Sequence, residues 1–182
     1  VSNDSGYSWE ARSTAADTSG SNCGIDTIAI SVDASVWLAG CGSVRVAPLQ
    51  SVAGPLLWST DGGATRSPGQ DNSPNLLGVW SAVAISGDGT YAMAVQHSST
   101  PVFFSNDSGR TWTGTDEGYQ FSTIAMSADG RHHVGVTADR MYRREMYDGV
   151  SGPVLSPWVG PASANLTTVA WSAVALSANG DL

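Results

Sequence analysis

One phrase returns four times along this chain and constrains it more than any other feature. It reads Asp26-Thr-Ile-Ala-Ile-Ser31, Ser81-Ala-Val-Ala-Ile-Ser86, Ser122-Thr-Ile-Ala-Met-Ser127 and Ser172-Ala-Val-Ala-Leu-Ser177. The last three copies follow an aromatic residue, Trp80, Phe121 or Trp171, and run into Gly-Asp-Gly89, Ala-Asp-Gly130 and Ala-Asn-Gly180. Self-similarity on this scale means one supersecondary unit stacked on copies of itself. The closing serines lie 55, 41 and 50 residues apart (86−31, 127−86, 177−127). Unequal spacing predicts a fixed unit joined by loops of varying length.

A second phrase alternates with the first. Ser2-Asn-Asp-Ser-Gly-Tyr-Ser-Trp9, Ser59-Thr-Asp-Gly-Gly-Ala-Thr-Arg66 and Ser105-Asn-Asp-Ser-Gly-Arg-Thr-Trp112 fit S-x-D-x-G-x-[ST]-W, with Arg66 in place of Trp. Asp148-Gly-Val-Ser-Gly152 sits where a fourth copy belongs but has lost the pattern. Such a turn works physically: the Asp accepts backbone N–H bonds, the Gly takes the left-handed conformation, and the Trp covers the hairpin. Between Trp80 and Trp112 three short apolar runs are separated by Gly, Asp, Ser and Pro, which reads as an antiparallel meander. Composition agrees. There is no Lys, and Asp outnumbers Glu thirteen to three, so the usual fillers of exposed helix faces are scarce. The class is all-β.

The S-x-D-x-G-x-[ST]-W phrase resembles the Asp box, or BNR repeat, of sialidases, sortilin-type propellers, xyloglucan-cleaving glycosidases and photosystem-assembly propellers. With the aromatic-S-x-[VI]-A-x-S phrase it is similar in style to repeat arrays of algal, bacterial and viral surface proteins. The resemblance implies a β-propeller of four-stranded antiparallel blades, or a segment of a larger one. It also implies that the boxes are architecture at hairpin tips, so Asp4, Gly6, Trp9, Asp61, Gly63, Asp107, Gly109 and Trp112 carry structure and not catalysis.

In that frame residues 1–22 end one blade, 23–78 and 79–119 are full blades, 120–168 form a blade with a divergent outer half, and 169–182 begin another. Aligning both termini with the compact third unit leaves twelve strand positions unfilled. The expectation is that the chain continues in a longer polypeptide, the other option being completion by a neighbouring copy, and that residues 1–182 alone fold poorly.

Candidate chemistry is sparse. Cys23 and Cys41 flank the first complete hairpin; pairing places Cys41 opposite about Asp26, so a disulfide needs a bulge or loop to bring Cys23 back. Asn3, Asn106 and Asn165 head N-x-[ST] sequons, with Asn165 the best acceptor because the other two fall in Asp-box turns. Arg140, Arg143 and Arg144 with Tyr142 and Glu145 offer some residue types of a sialidase site. They lie in one run, however, whereas sialidase arginines converge from separate blades, so a solvated or interface loop is the better reading. Outside the turns, Asp26, Asp116, Glu117, Asp139 and Glu145 are the carboxylates that could form a glycosidase pair, and nothing in the spacing selects two. His132 and His133 sit on a strand with one ring on each side, a poor metal site. No cofactor is expected.

A net charge of −8 argues against nucleic acid, and no apolar stretch is long enough for a membrane helix. The function expected is a non-enzymatic extracellular or cell-surface structural and binding module, its inter-blade loops contacting protein or glycan. Partners would be other protein chains or further blades of the same polypeptide. The alternative is part of a propeller glycoside hydrolase with catalytic residues partly elsewhere.

Overall fold

The computed structural model describes residues 7–8, 24–41, 53–71, 76–97, 101–160 and 173–180. Among them there is no helix, and the strands form three sheets. The first is a meander of β1 (Ile25–Ile30), β2 (Trp37–Cys41), β3 (Gly54–Ser59) and β4 (Ser67–Pro68). The chain then lends β5 (Gln70–Asp71) to the next sheet and returns β6 (Leu77–Gly78) to pair with β3. The second meander is β7 (Trp80–Ile85), β8 (Ala92–Gln96), β9 (Pro101–Ser105) and β10 (Thr111–Asp116), with β5 parallel on the edge of β10. The third is β11 (Thr123–Met126), β12 (His132–Val136), β13 (Met141–Gly149) and β14 (Gly152–Leu155).

Successive sheets stack by their leading strands, β7 lying between β1 and β11. This is the arrangement that the repeated phrase demands. In each leading strand one Ala is followed by a serine two positions on, and alternation sends the Ala and its branched neighbours to opposite faces. Ala29 packs into the cluster holding Val83, Ile85, Trp80, Leu38 and Phe103. Ala84 packs with Ile124, Met126 and Phe121. Small residues on one sheet thus receive branched residues from the next, and the core is a series of inter-sheet layers. Trp80 is 1% exposed and Phe121 2%, each at the entry of its leading strand. Trp171, the third such aromatic, lies outside the described residues.

Candidate functional site

Two hairpin turns close each of the first two sheets at the same end, and both are built from a serine and an aspartate. In the turn after β1, the Ser31 hydroxyl donates to Asp33 Oδ1 at 2.7 Å and accepts the Val36 N–H at 3.0 Å. Ser86–Tyr91 and Ser127–His132 repeat this, with Asp88 and Asp129 accepting at 2.6 Å. In the second kind of turn, after β3 and β9, Asp61 and Asp107 each take the backbone N–H and the hydroxyl of the threonine four residues on. Ser59 and Ser105 accept the N–H of Gly63 and Gly109, whose φ angles are 86° and 83°. The two kinds are tied together: Gly62 N–H donates to Ser35 O, and Ser108 N–H to Thr90 O.

The aspartates of these turns, Asp33, Asp61, Asp88, Asp107 and Asp129, therefore each accept bonds from their own turn. Hydrogen bonds from Ser31 and Ser35 hold Asp33 down at about 2, and those from Thr65 and Ser59 do the same for Asp61. Burial pushes Asp88 and Asp107 upward, but the serine and threonine bonds outweigh it, and both end below the usual range. Trp112 is buried and its indole N–H donates to Gly109 O at 2.8 Å. Asp4, Gly6 and Trp9 lie outside the described residues, as do Asn3 and Asn165; Asn106 is exposed at the hairpin tip.

The third sheet does something else. Its β13 is a strand and not the solvated or interface loop expected from the sequence, and period-two alternation turns Arg143 outward and Arg144 inward. Arg144 is 2% exposed. It donates to Glu117 Oε1 at 2.8 Å and to His133 Nδ1 at 3.2 Å, and it stands 4.4 Å over the Trp158 ring. His133 lies 2.8 Å from Gly130 O through Nε2, so the imidazole is the neutral Nε2–H tautomer. Burial, then the Arg144 charge, drive its pKa down to about 3. Burial also lowers Arg144 to about 10, opposed by Glu117. Trp158 reaches this place because Ser156 pairs with Glu145 and Val159 with Arg143, leaving Pro157 and Trp158 as a bulge that turns the indole inward.

This network joins the second sheet to the third. Beside it, at the loop end, Tyr119 and Tyr142 stand half-buried with ring centroids 4.5 Å apart, against Phe121. The three arginines of the run do not converge: Arg140 pairs with exposed Asp139, Arg143 faces out, and Arg144 is enclosed. Among the described residues no group of three His, Cys, Asp or Glu could hold a metal ion. Cys41 is buried and disulfide-bonded, and a bulge between Ile25 and Thr27 sets it opposite Ile25, one residue nearer the chain start than even pairing gives. The other cysteine of the sequence, Cys23, lies outside the described residues.

No protein-family model matches this sequence, and no curated protein does. Solved structures do match. An ancestral GH74 enzyme is similar with a TM-score of 0.51 at 17% identity, over 79% of this chain and 21% of that one. The fold is that of β-propeller blades. YCF48 bound to a D1 peptide is similar at 0.48 and 17%, over 80% and 47% of the two chains. The nidogen/laminin complex is similar at 0.48 and 10%, over 74% and 47%. The chain thus spans about a fifth to a half of the length of these structures, and at such identities the likeness is one of fold.

Proposed function

We propose that this chain is a non-catalytic module of Asp-box (BNR-repeat) blades at the cell surface or outside the cell, contacting another protein through the loop end between its blades. The Ser59–Arg66 and Ser105–Trp112 hairpins support the Asp-box reading, since Asp and Gly act there on the backbone of their own turn. The observation that carries the binding role is the tyrosine pair, Tyr119 and Tyr142, set half-exposed on a rigid buried network. Tyrosine and arginine with an apolar body and a polar tip are what protein-contact surfaces are enriched in. The disulfide at Cys41 supports an oxidising compartment.

The test is a peptide display selection on the folded chain. Selected peptides should bind at least tenfold more weakly to Tyr142→Ala and equally well to Asp148→Asn at the opposite end. Hydrolysis of xyloglucan or of a sialoside, abolished by Glu117→Gln, would replace this reading with a glycosidase.

A further inference from the structure

Neighbouring sheets are hydrogen-bonded to one another at the turns that follow their leading strands. Val32 N–H donates to Gly87 O at 2.8 Å, Gly87 N–H to Ala128 O at 2.7 Å, and Ala128 N–H to Ala178 O at 3.0 Å. This ladder of turns ties the first sheet to the second, but between β3–β4 and the start of β10 the two part. A cleft of about 350 Å³ opens there. Trp58, Ser67 and Pro68 line it from the first sheet, Arg110 and Thr111 from the second.

The turn chemistry places Arg110 on this cleft. Gly109, at a φ of 83°, lies so close to the first sheet that a methyl there would collide with the Leu38 side chain and stand 3.3 Å from Trp58 Cβ. The hairpin therefore rests on the first sheet. Its next residue, exposed Arg110, lays the guanidinium over the Trp58 ring, 5.0 Å from the centroid.

The polar groups of the cleft are donors in want of an acceptor. Arg110 takes part in none of the ion pairs among the described residues, although Asp107 belongs to the same turn. Asp107 is occupied by Thr111, whose N–H and hydroxyl it accepts at 2.9 and 2.6 Å. Among the described residues nothing accepts from the Trp58 indole N–H or from the Ser67 hydroxyl. A guanidinium has five N–H donors and an indole has one, and neither has an acceptor. Stacking uses only the face of the guanidinium and leaves its edge open. The group that fits such an edge is a carboxylate, held by two parallel N–H bonds.

We propose that this cleft takes a glutamate or aspartate side chain of a partner protein, its carboxylate on Arg110 and its stem against Trp58. A protein is the favoured source because tryptophan and arginine dominate the energetically decisive points of protein contacts. The net charge of −8 repels an acidic partner at long range, so geometry at contact and not steering selects it. This proposal goes beyond the loop-end reading and uses none of its residues.

The experiment follows the Trp58 indole N–H by proton–nitrogen NMR on the full chain, its peak assigned by loss in Trp58→Phe. Titration with acetyl-Gly-Glu-Gly-amide to millimolar concentration should shift this peak and saturate. The peptide carrying Gln in place of Glu should bind at least about tenfold more weakly, and so should the Glu peptide on Arg110→Gln. Tyr142→Ala should bind the Glu peptide unchanged, which separates this cleft from the loop end. No shift with the Glu peptide, equal binding of the Gln peptide, or full affinity in Arg110→Gln would each overturn the proposal. Acetate binding as tightly as the peptide would overturn the protein source. If Arg110→Gln loses its circular dichroism, Arg110→Lys replaces it, since it keeps the charge and loses the two-pronged edge; it too should bind more weakly.

Discussion

The outer hairpins of the second and third sheets occupy the same place and are held by different physics. In the second, Ala92 pairs with Ser105, which opens a tight turn; Asp107 and Gly109 shape it and Trp112 closes it with a buried ring. In the third, the equivalent His133 pairs with Arg144, so a buried arginine stands where the turn-opening serine would be. The strand then runs on to Gly149, and Asp148, the relic of the pattern, meets exposed Arg131 at 2.7 Å. One hairpin is self-contained. The other is anchored to its neighbour through Arg144 and Glu117, and its tip is free to drift. The difference teaches that the Ser-Asp-Gly turn stabilises its hairpin locally, and that a hairpin without it is held where an inter-sheet anchor takes over.

Substitutions sharpen the contrast. Trp112→Ala should be the most damaging, at about 3–5 kcal/mol by denaturant unfolding, because it empties a filled core position. Glu117→Ala follows, at about 2–4 kcal/mol, since it leaves the Arg144 charge enclosed without its counter-ion. Adding Arg144→Met to Glu117→Ala should recover most of that loss; a double variant no better than the single would show that the pair is not the anchor.

The third expectation concerns pH. His133 is neutral in the fold, with a pKa near 3 against 6.5 for the free side chain. Its contribution is complete above pH 6.5 and declines as pH falls from there towards 3, because the unfolded chain takes up the proton first. The slope is about 1.4 kcal/mol per pH unit across that window. Asp33 and Asp61, held at about 2 against 3.8, add loss of the same sign only below about pH 4. Stability curves at pH 7 and pH 5 should differ for the unaltered chain and coincide for His133→Gln. Smaller still, Asp107→Ala should cost about 1–2 kcal/mol through its lost turn bonds. Asp148→Asn should leave the unfolding midpoint within replicate scatter, as an exposed pair contributes little. A large effect of Asp148→Asn would make the two hairpins equivalent after all.

The self-contained hairpin was legible in the sequence and the anchored one was not, for a physical reason. The chemistry of the Ser-x-Asp-x-Gly turn is local, with donor and acceptor within four residues of each other, so the phrase spells out the geometry. Arg144, Glu117 and His133 are brought together by stacking of separate blades, which spacing does not encode. Charged residues are mostly solvated, and a run of arginines reads that way first. A signal existed nonetheless: Tyr142, Arg144 and Met146 alternate with Arg143 and Glu145, and the alternate set faces in. Trp158 had no signal, since a bulge after Pro157 and not the strand period directs it. The leading-strand aromatics were readable because each repeats at one offset from an apolar phrase; Trp80 and Phe121 are both enclosed.

The ladder of turns also sets a ruler along one end of the molecule. Ser31 to Val36, Ser86 to Tyr91 and Ser127 to His132 are of one length, because a residue added there would break the hydrogen bonds on both sides. The unequal repeat spacing must therefore be absorbed outside these turns, and the far end, where Thr137 to Arg140 connects two strands, is a place where adding residues disturbs no neighbour in the ladder. Inheritance can lengthen, shorten or exchange those connections one blade at a time while the ladder end keeps its gauge. A graft of ten foreign residues between Ala138 and Asp139 should leave the melting profile nearly unchanged, and the same graft between Gly87 and Asp88 should abolish folding.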